Sequence, residues 1–182
     1  MREIIAFYTS ARRKGFSSRL VDQVAAGAKS QGAEVIAYHL NDGVKGCQGC
    51  FYCRSHAACA TNDALAPVFE QFPKADGFVV GFPIYFGNIS GQGKIWLDRM
   101  WPLLAADFSP RYPGKKCVTI YAQGNPNPDI CKGAIEANDG FIRRFGVEMV
   151  DSILNYGNNA PGYELPTELL ERAFDAGKQL VK

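Results

Sequence analysis

Short apolar runs alternate along this chain with longer segments of helical periodicity. The runs are rich in Val, Ile and aromatic residues, and each except the last is followed by a loop and a segment with helical spacing. This alternation is typical of βαβ units, which assemble into a parallel sheet. The predicted strands are Glu3–Tyr8, Glu34–His39, Gly77–Phe82, Cys117–Ala122 and Val147–Leu154.

Predicted helices fill the segments between these strands. Ser17 or Ser18 is a suitable N-cap for the first helix, whose apolar residues recur on one face. Thr167 is a suitable cap for the last. The later helices are predicted at Asp63–Gln71, Gly91–Leu104, Asp129–Phe145 and Pro166–Val181. Five strands with right-handed crossovers predict an α/β, flavodoxin-like, doubly wound five-stranded parallel sheet of order 2-1-3-4-5.

Composition and charge limit the class of protein. The chain has 182 residues, of which 47% are hydrophobic, so we predict a single domain over residues 1–182 with a sizeable core. A formal net charge of +2, with acids and bases interspersed, gives no basic face for nucleic acid or for an anionic membrane. The N-terminal apolar run is too short for a signal peptide, so we expect a cytoplasmic protein with small-molecule or protein partners.

Four cysteines lie close together in an insertion at about residues 42–62: Cys47, Cys50, Cys53 and Cys59. A C-x2-C-x2-C triplet plus one more cysteine is a spacing with which loops hold a [4Fe–4S] cluster, whereas zinc sites usually divide their ligands into two separated pairs. A zinc staple and a loop of free thiols are the alternatives. We expect no disulfide framework, because the cytoplasm is reducing.

The loop after the first strand has the features of an anion site. Residues 9–18 combine hydroxyl groups, a glycine and three cations directly before a helix. The positive end of the helix dipole and free N–H groups attract a phosphate, and Ser10, Ser17 and Ser18 can donate hydrogen bonds to it. The loop lacks the G-x-G-x-x-G and G-K-[ST] patterns of dinucleotide and P-loop sites. A capped helix with solvated basic residues is the alternative.

The loop after the third strand suits a flat heteroaromatic ring. Tyr85 and Phe86 can flank an isoalloxazine, and Gly87 permits close approach of the backbone. Gln123 and Gly124 begin a third loop on the same edge of the sheet, for which a plain turn is an equal alternative. Strands 2 and 3 flank strand 1, so the Cys-rich loop and the ring loop begin roughly 10 Å apart. A cluster and a flavin at this edge would be close enough to exchange electrons.

Three segments of the chain together resemble a known family. SARRKGFSSRL, FPIYFGNISGQGKIWLDR and the Cys-rich loop are similar to the NADPH-dependent FMN reductase-like branch of the flavodoxin-fold proteins, and more narrowly to the iron-sulfur flavoproteins. The resemblance implies a [4Fe–4S] cluster on the four cysteines and a homodimer or homotetramer. It implies that FMN is bound at its phosphate by Ser10, Arg12, Ser17 and Ser18. It implies ring contacts from Pro83, Ile84, Tyr85, Phe86, Gly87 and Asn88.

These observations predict an FMN-dependent oxidoreductase in which no side chain acts as a nucleophile. A flavin accepts two electrons as hydride or one at a time, whereas a cluster passes single electrons. The pair would therefore join NAD(P)H, or a reduced carrier such as ferredoxin, to an acceptor. One alternative is a cluster-free NAD(P)H-dependent FMN or quinone reductase. Another is a non-catalytic flavodoxin-like carrier or a zinc-stapled interaction domain.

Overall fold

The strands in the part of the chain that the structure describes all belong to one sheet. A computed structural model describes residues 2–157 and 162–182. The strands in that part of the chain are β1 (Glu3–Tyr8), β2 (Glu34–His39), β3 (Gly77–Tyr85), β4 (Asn88–Ile89), β5 (Lys116–Ala122) and β6 (Glu148–Asn155). The first two have the predicted bounds, and β3 continues past the predicted end at Phe82. Strand β6 is shifted by one residue from its predicted position.

The sheet has six strands in the order β2-β1-β3-β5-β6, and β4 pairs with β3 outside this path. The prediction of five strands in the order 2-1-3-4-5 is corrected in this respect. All pairs along the path are parallel, as predicted, and their arrangement is flavodoxin-like. The additional pair is antiparallel. It forms because β3 extends to Tyr85, turns at Phe86 and Gly87, and returns as a two-residue strand.

Five α-helices lie between the described strands and a sixth follows the last strand: α1 (Phe16–Ser30), α2 (Tyr52–Ser55), α3 (Val68–Gln71), α4 (Gly91–Arg99), α5 (Lys132–Arg143) and α6 (Thr167–Leu180). Short 3-10 helices cover Trp101–Leu103 and Pro128–Cys131, so two predicted helices are each divided into an α and a 3-10 part. No helix in residues 2–157 or 162–182 combines the length and hydropathy needed to cross a bilayer.

Three predicted helix boundaries are wrong for local reasons. The N-cap of α1 is Gly15, so Ser17 and Ser18 lie inside the first turn. The N-cap of α6 is Pro166, and Thr167 is its first helical residue. Helix α3 begins only at Val68, whereas Asp63 and the residues after it form turns. At α1 and α6 the N-cap makes no side-chain hydrogen bond, whereas the sequence pattern predicted a side-chain cap; at α3 a turn precedes the helix.

Two apolar layers cover the sheet. Alternate residues of β1 point to opposite faces, with Phe7 in the layer beside Trp96 of α4 and Ala6 in the layer beside α1 and α6. Helices α1 and α6 pack with their backbones in contact, because a Cβ at Gly27 would stand 1.9 Å from the carbonyl oxygen of Phe174. This close packing fixes α1, and with it the position of its N-terminus at the carboxyl edge of the sheet.

Candidate functional site

The loops that follow β1 and β3 are joined at the carboxyl edge of the sheet. The Thr9 hydroxyl donates to the carbonyl oxygen of Gly81 at 2.7 Å, and the Ser90 hydroxyl donates to the carbonyl oxygen of Thr9 at 3.1 Å. Ser90 also accepts a hydrogen bond from Gly93 N as the N-cap of α4. Thr9 and Ser90 are buried. Neither residue was predicted as part of the site, although a hydroxyl at the end of an apolar strand is a signal for such a bond.

The predicted phosphate loop is closed by its own hydrogen bonds. Ser10 Oγ accepts from the N–H of Arg12 at 3.1 Å, and Ser18 Oγ donates to the carbonyl oxygen of Arg12 at 3.2 Å. The Arg12 side chain is exposed. Among the described residues, no side chain caps α1 and no acid lies in its first turn. The first N–H groups of the helix and its positive end are therefore suited to an anion.

The space around Gly15 shows whether this loop can fit a phosphate. A Cβ at this position would stand 2.9 Å from Ser10 Oγ and 3.1 Å from the carbonyl oxygen of Arg12. Its φ of −68° is open to any residue, so the close approach of the loop is the reason that a glycine is needed. Ser17 and Ser18 are buried behind it in the first turn. The loop thus forms a narrow cradle lined by backbone and hydroxyl groups, which suits a phosphate.

The predicted ring loop is the β3–β4 hairpin. Phe86 and Gly87 have φ values of 53° and 85° and lie between the paired residues Tyr85 and Asn88, as in the two-residue turns that favour positive φ. Phe86 is fully exposed, and Tyr85 is 44% exposed. Asn88 Oδ1 accepts from Asn138 Nδ2 at 3.0 Å, which ties the hairpin to α5. A rigid turn therefore presents two aromatic rings to solvent, as stacking on a flat ligand requires.

Two other predicted ring residues lie deeper in the hairpin. Pro83 is buried and Ile84 is half-buried, so their side chains support the turn from the sheet side. The Ser90 N–H donates to the carbonyl oxygen of Pro83 at 2.9 Å. This bond joins the hairpin to the N-terminus of α4.

The third predicted loop contributes polar atoms to the same edge. Gln123 is 2% exposed, and its Nε2 donates to the carbonyl oxygen of Asn127 at 2.7 Å. Its N–H donates to the carbonyl oxygen of Asn155. Within the described chain, Gln123 Oε1 and Asn155 Nδ2 are buried without hydrogen-bond partners. Such orphaned groups are rare in proteins and are candidates to bind a ligand. Gly124 follows Gln123 at the edge.

The four cysteines of the insertion line one cavity of about 160 Å³. Cys47 and Cys50 are exposed, and Cys53 and Cys59 are half-buried. Burial raises the pKa of the Cys53 thiol, and the charges of the other three cysteines raise it as well. Within residues 2–157 and 162–182, no three His, Cys, Asp or Glu side chains converge on a position for a single metal ion. Each cysteine of a [4Fe–4S] site binds a different iron, so four sulfurs around one cavity fit a cluster.

Two arginines anchor the cysteine loop to the neighbouring segment. Arg54 Nη1 donates to the carbonyl oxygen of Ala106 at 2.9 Å, and its guanidinium lies 4.4 Å from the ring centre of Phe108. Arg111 Nη2 donates to the carbonyl oxygen of Cys53 at 3.4 Å. The loop is therefore held against the protein on its outer side.

A buried ion pair closes the cysteine loop on its inner side. Arg99 Nη1 stands 2.7 Å from the carboxylate of Asp63, and neither side chain is more than 3% exposed. Asp63 also accepts hydrogen bonds from the N–H groups of Lys45 and Leu65. This ion pair was not predicted from the sequence. The sequence feature that could have indicated the pair is the position of Arg99, a charged residue three positions after Trp96 and therefore on the buried face of α4.

Helix α4 connects the two candidate sites. Its N-cap, Ser90, lies among the loops of the sheet edge, and its last residue, Arg99, lines the cysteine cavity. Nine residues at a rise of 1.5 Å span roughly 14 Å. A second connection runs through Asn41, which donates to the carbonyl oxygen of Ser10 at 2.7 Å and accepts from Gln92 of α4 at 2.9 Å.

All predicted cofactor residues thus lie at one edge of the sheet or beside it. The phosphate loop, the hairpin and the loop at Gln123 follow the adjacent strands β1, β3 and β5. The cysteine loop follows β2, the neighbour of β1, so it leaves the sheet at the same edge. The contact of each residue with FMN or with iron stays a prediction.

Comparison with known proteins gives a family match over most of the chain. Residues 2–125 match the family model described as NADPH-dependent FMN reductase. The predicted resemblance is therefore confirmed, and curated relatives named iron-sulfur flavoproteins agree with it. One, from Methanocaldococcus jannaschii, is 30% identical over 102 residues, which are 56% of this chain and 53% of the relative. Another, from Archaeoglobus fulgidus, is 24% identical over 95% of this chain and 76% of its own length.

The fold is also found in solved structures. An NAD(P)H:quinone oxidoreductase from Methanothermobacter marburgensis superimposes with a TM-score of 0.72 over 99% of this chain and 96% of its own, at 21% identity. At this identity the likeness extends to the fold alone. The first of the curated relatives is matched over only about half of its length.

Proposed function

The chain belongs to the NADPH-dependent FMN reductase family, and from this premise we propose that it is an FMN-dependent oxidoreductase. We propose further that its cysteine loop holds a [4Fe–4S] cluster that exchanges single electrons with FMN. The names of the two archaeal relatives support the cluster. The electron donor in this proposal is NAD(P)H or a ferredoxin-like protein.

One observation carries the proposal. The four cysteines line a single cavity at the C-terminal end of α4, while the N-terminal end of the same helix is bonded to the loop after β1. A redox group at each end would be separated by little more than the length of the helix, roughly 14 Å. This arrangement supports electron exchange between the two sites.

The chain's own groups would bind and orient FMN without acid–base chemistry. The N-terminus of α1 and Ser10 would hold the phosphate, with Ser18 bracing the loop through the Arg12 carbonyl, and the exposed rings of Tyr85 and Phe86 would cover the isoalloxazine and exclude water from it. The orphaned Gln123 Oε1 is an acceptor for a ring N–H. FMN, when bound, supplies the exchange between two-electron and one-electron transfer.

A second candidate function is a cluster-free NAD(P)H-dependent FMN or quinone reductase. It is favoured by the similar fold of the archaeal quinone oxidoreductase. In that case the cysteines would be free thiols. A non-catalytic carrier, or a domain stapled by zinc, is distinguished by the same experiment.

The test is an anaerobic purification followed by analysis of iron, acid-labile sulfide, zinc and FMN. We expect about four irons and four sulfides per chain together with FMN. Cys50→Ala is expected to lose most of the iron and retain FMN. Cys131→Ala, a matched change at a cysteine outside the loop, is expected to retain both. Flavin without iron, together with rapid oxidation of NAD(P)H, would support the second candidate; flavin without either would indicate a non-catalytic carrier, and zinc without flavin would contradict both candidates.

Assembly is a separate part of the proposal. We propose a homodimer or homotetramer, supported by the exposed aromatic side chains of Trp101 and Phe108 beside the cysteine loop. These two rings contact each other and leave an apolar surface that a second copy can cover. Light scattering of the anaerobic protein tests this, and a monomer would contradict it.

A further inference from the structure

Arg99 is a cation buried beside the cysteine cavity. Its side chain is 0% exposed, and that of its partner Asp63 is 3% exposed. A buried charge is unfavourable unless its hydrogen-bonding groups are satisfied, so each contact of the guanidinium bears on its role. Arg99 lines the cavity that the four cysteines share.

Both terminal nitrogens of Arg99 bind the ends of the cysteine loop. Nη1 donates to the Asp63 carboxylate and to the carbonyl oxygen of Lys45, at 2.7 Å in each case. Nη2 donates to Asp63 at 3.2 Å and to the carbonyl oxygen of Thr61 at 3.3 Å. Lys45 precedes the first cysteine, and Thr61 and Asp63 follow the last. One side chain therefore joins the two ends of the loop.

The remaining guanidinium nitrogen, Nε, differs from the other two in its hydrogen bonding. It is buried and finds no acceptor among the residues that the structure describes. Cys59 lines the same cavity as Arg99, so its sulfur lies beside a guanidinium that still has a donor to offer.

We propose that Arg99 is a positioning residue for the cysteine site, which closes the loop through Nη1 and Nη2 and donates Nε–H to the sulfur at Cys59. The inference rests on the proposed function, because it concerns the [4Fe–4S] site. One-electron reduction adds a negative charge to that site, and a hydrogen bond to sulfur from a buried cation stabilises the more negative state. Arg99 therefore raises the reduction potential, whereas the carboxylate of Asp63 lowers it.

Three variants test the donor role by redox titration of the anaerobic protein, followed by electron paramagnetic resonance. For Arg99→Met we expect the reduction equilibrium to shift roughly ten-fold toward the oxidised state, which is about 59 mV for one electron. Asp63→Asn removes a negative charge and is expected to shift the reduction equilibrium in the opposite direction, toward the reduced state. The control Lys94→Met removes an exposed cation of the same helix and should leave the potential unchanged.

Potential shifts of opposite sign in the two variants distinguish a hydrogen-bond donor role of Arg99 from a purely structural role. If the two substitutions only loosened the loop, the reduction potential would shift in the same direction in Arg99→Met and in Asp63→Asn. That result, or the absence of any shift, would overturn the donor role. Circular dichroism checks the fold of each variant. If Arg99→Met does not fold, Arg99→Lys replaces it, since Lys keeps the charge but lacks Nε, and it is likewise expected to lower the potential.

Loop closure is measured independently of any cluster. Iodoacetamide is added to iron-free protein, and alkylation of Cys59 is followed by mass spectrometry. We expect the rate to rise roughly ten-fold in Arg99→Met and in Asp63→Asn, as for the loss of about 1.4 kcal/mol of closure free energy, and to stay at the wild-type value in Lys94→Met. Unchanged rates would overturn loop closure. If the wild-type protein binds no iron, the proposed cluster and the donor role fail together, while the alkylation rates still decide whether Arg99 closes the loop.

Discussion

Gly15 and Ser10 stand so close together that a Cβ on the glycine would lie 2.9 Å from the serine hydroxyl oxygen. Gly15→Ala therefore pushes the two sides of the phosphate cradle apart without straining the backbone. We expect FMN to bind roughly ten-fold more weakly, equivalent to about 1.4 kcal/mol. The measurement is the quenching of FMN fluorescence during titration of flavin-free protein.

Gly133→Ala is the matched control, because a Cβ at Gly133 would meet no atom within 4 Å. It should bind FMN with wild-type affinity. Equal affinity in both variants would show that the loop after β1 does not hold the phosphate.

Phe86 combines full exposure with a positive φ of 53°, which a phenylalanine adopts only at a cost of about 1 kcal/mol. Asn adopts this conformation more readily. We expect Phe86→Asn to increase the free energy of unfolding by about 0.5–1 kcal/mol and to weaken FMN binding roughly three- to ten-fold through the lost ring. Urea unfolding and flavin titration measure the two effects.

Phe141→Asn is a suitable control, since Phe141 is also an exposed phenylalanine, 54% accessible, and it lies in α5, outside the hairpin. Its substitution should leave FMN affinity unchanged. Unaltered affinity in Phe86→Asn would mean that the hairpin turn does not cover the flavin.

Asp76 lies at the opposite edge of the sheet, and we expect it to make the free energy of unfolding depend on pH. Burial alone raises its pKa, but hydrogen bonds from the Glu3 N–H and the Arg2 guanidinium outweigh burial, so the pKa lies below 3.8. A lowered pKa contributes stability that is present above the unfolded-state value and is lost as the pH falls through the folded-state value. We expect Asp76→Asn to cost about 1–2 kcal/mol at pH 7, measured by urea unfolding.

The difference in stability between Asp76→Asn and the wild type should shrink as the pH falls from 3.8 toward the lower folded-state pKa of Asp76, because the stability that the lowered pKa contributes is lost over this range. Asp175→Asn removes a carboxylate that is paired on the surface with Lys178, and it should change stability at pH 7 by less than about 1 kcal/mol. A constant difference between Asp76→Asn and the wild type at all pH values would contradict the lowered pKa.

Much of the sheet was predictable, because a buried parallel strand corresponds to a short run of apolar residues in the sequence. Strands β1 and β2 have the predicted bounds. Strand β4 was not predictable in this way, since two residues carry no periodicity and their pairing depends on the turn at Phe86 and Gly87. The cap at Gly15 was missed for a similar reason: the nearby serines match the pattern of a cap, but the backbone begins the helix earlier.

The sequence by itself determined the parallel strands, the loops that follow them and the grouping of the cysteines, because periodicity and spacing act between near neighbours in the chain. Only the tertiary structure decided that α4 joins the sheet edge to the cysteine cavity and that Arg99 pairs with Asp63, 36 positions away. The physical reason is burial: an ion pair of this kind becomes favourable only when packing has removed both groups from water and brought their hydrogen-bond partners into place.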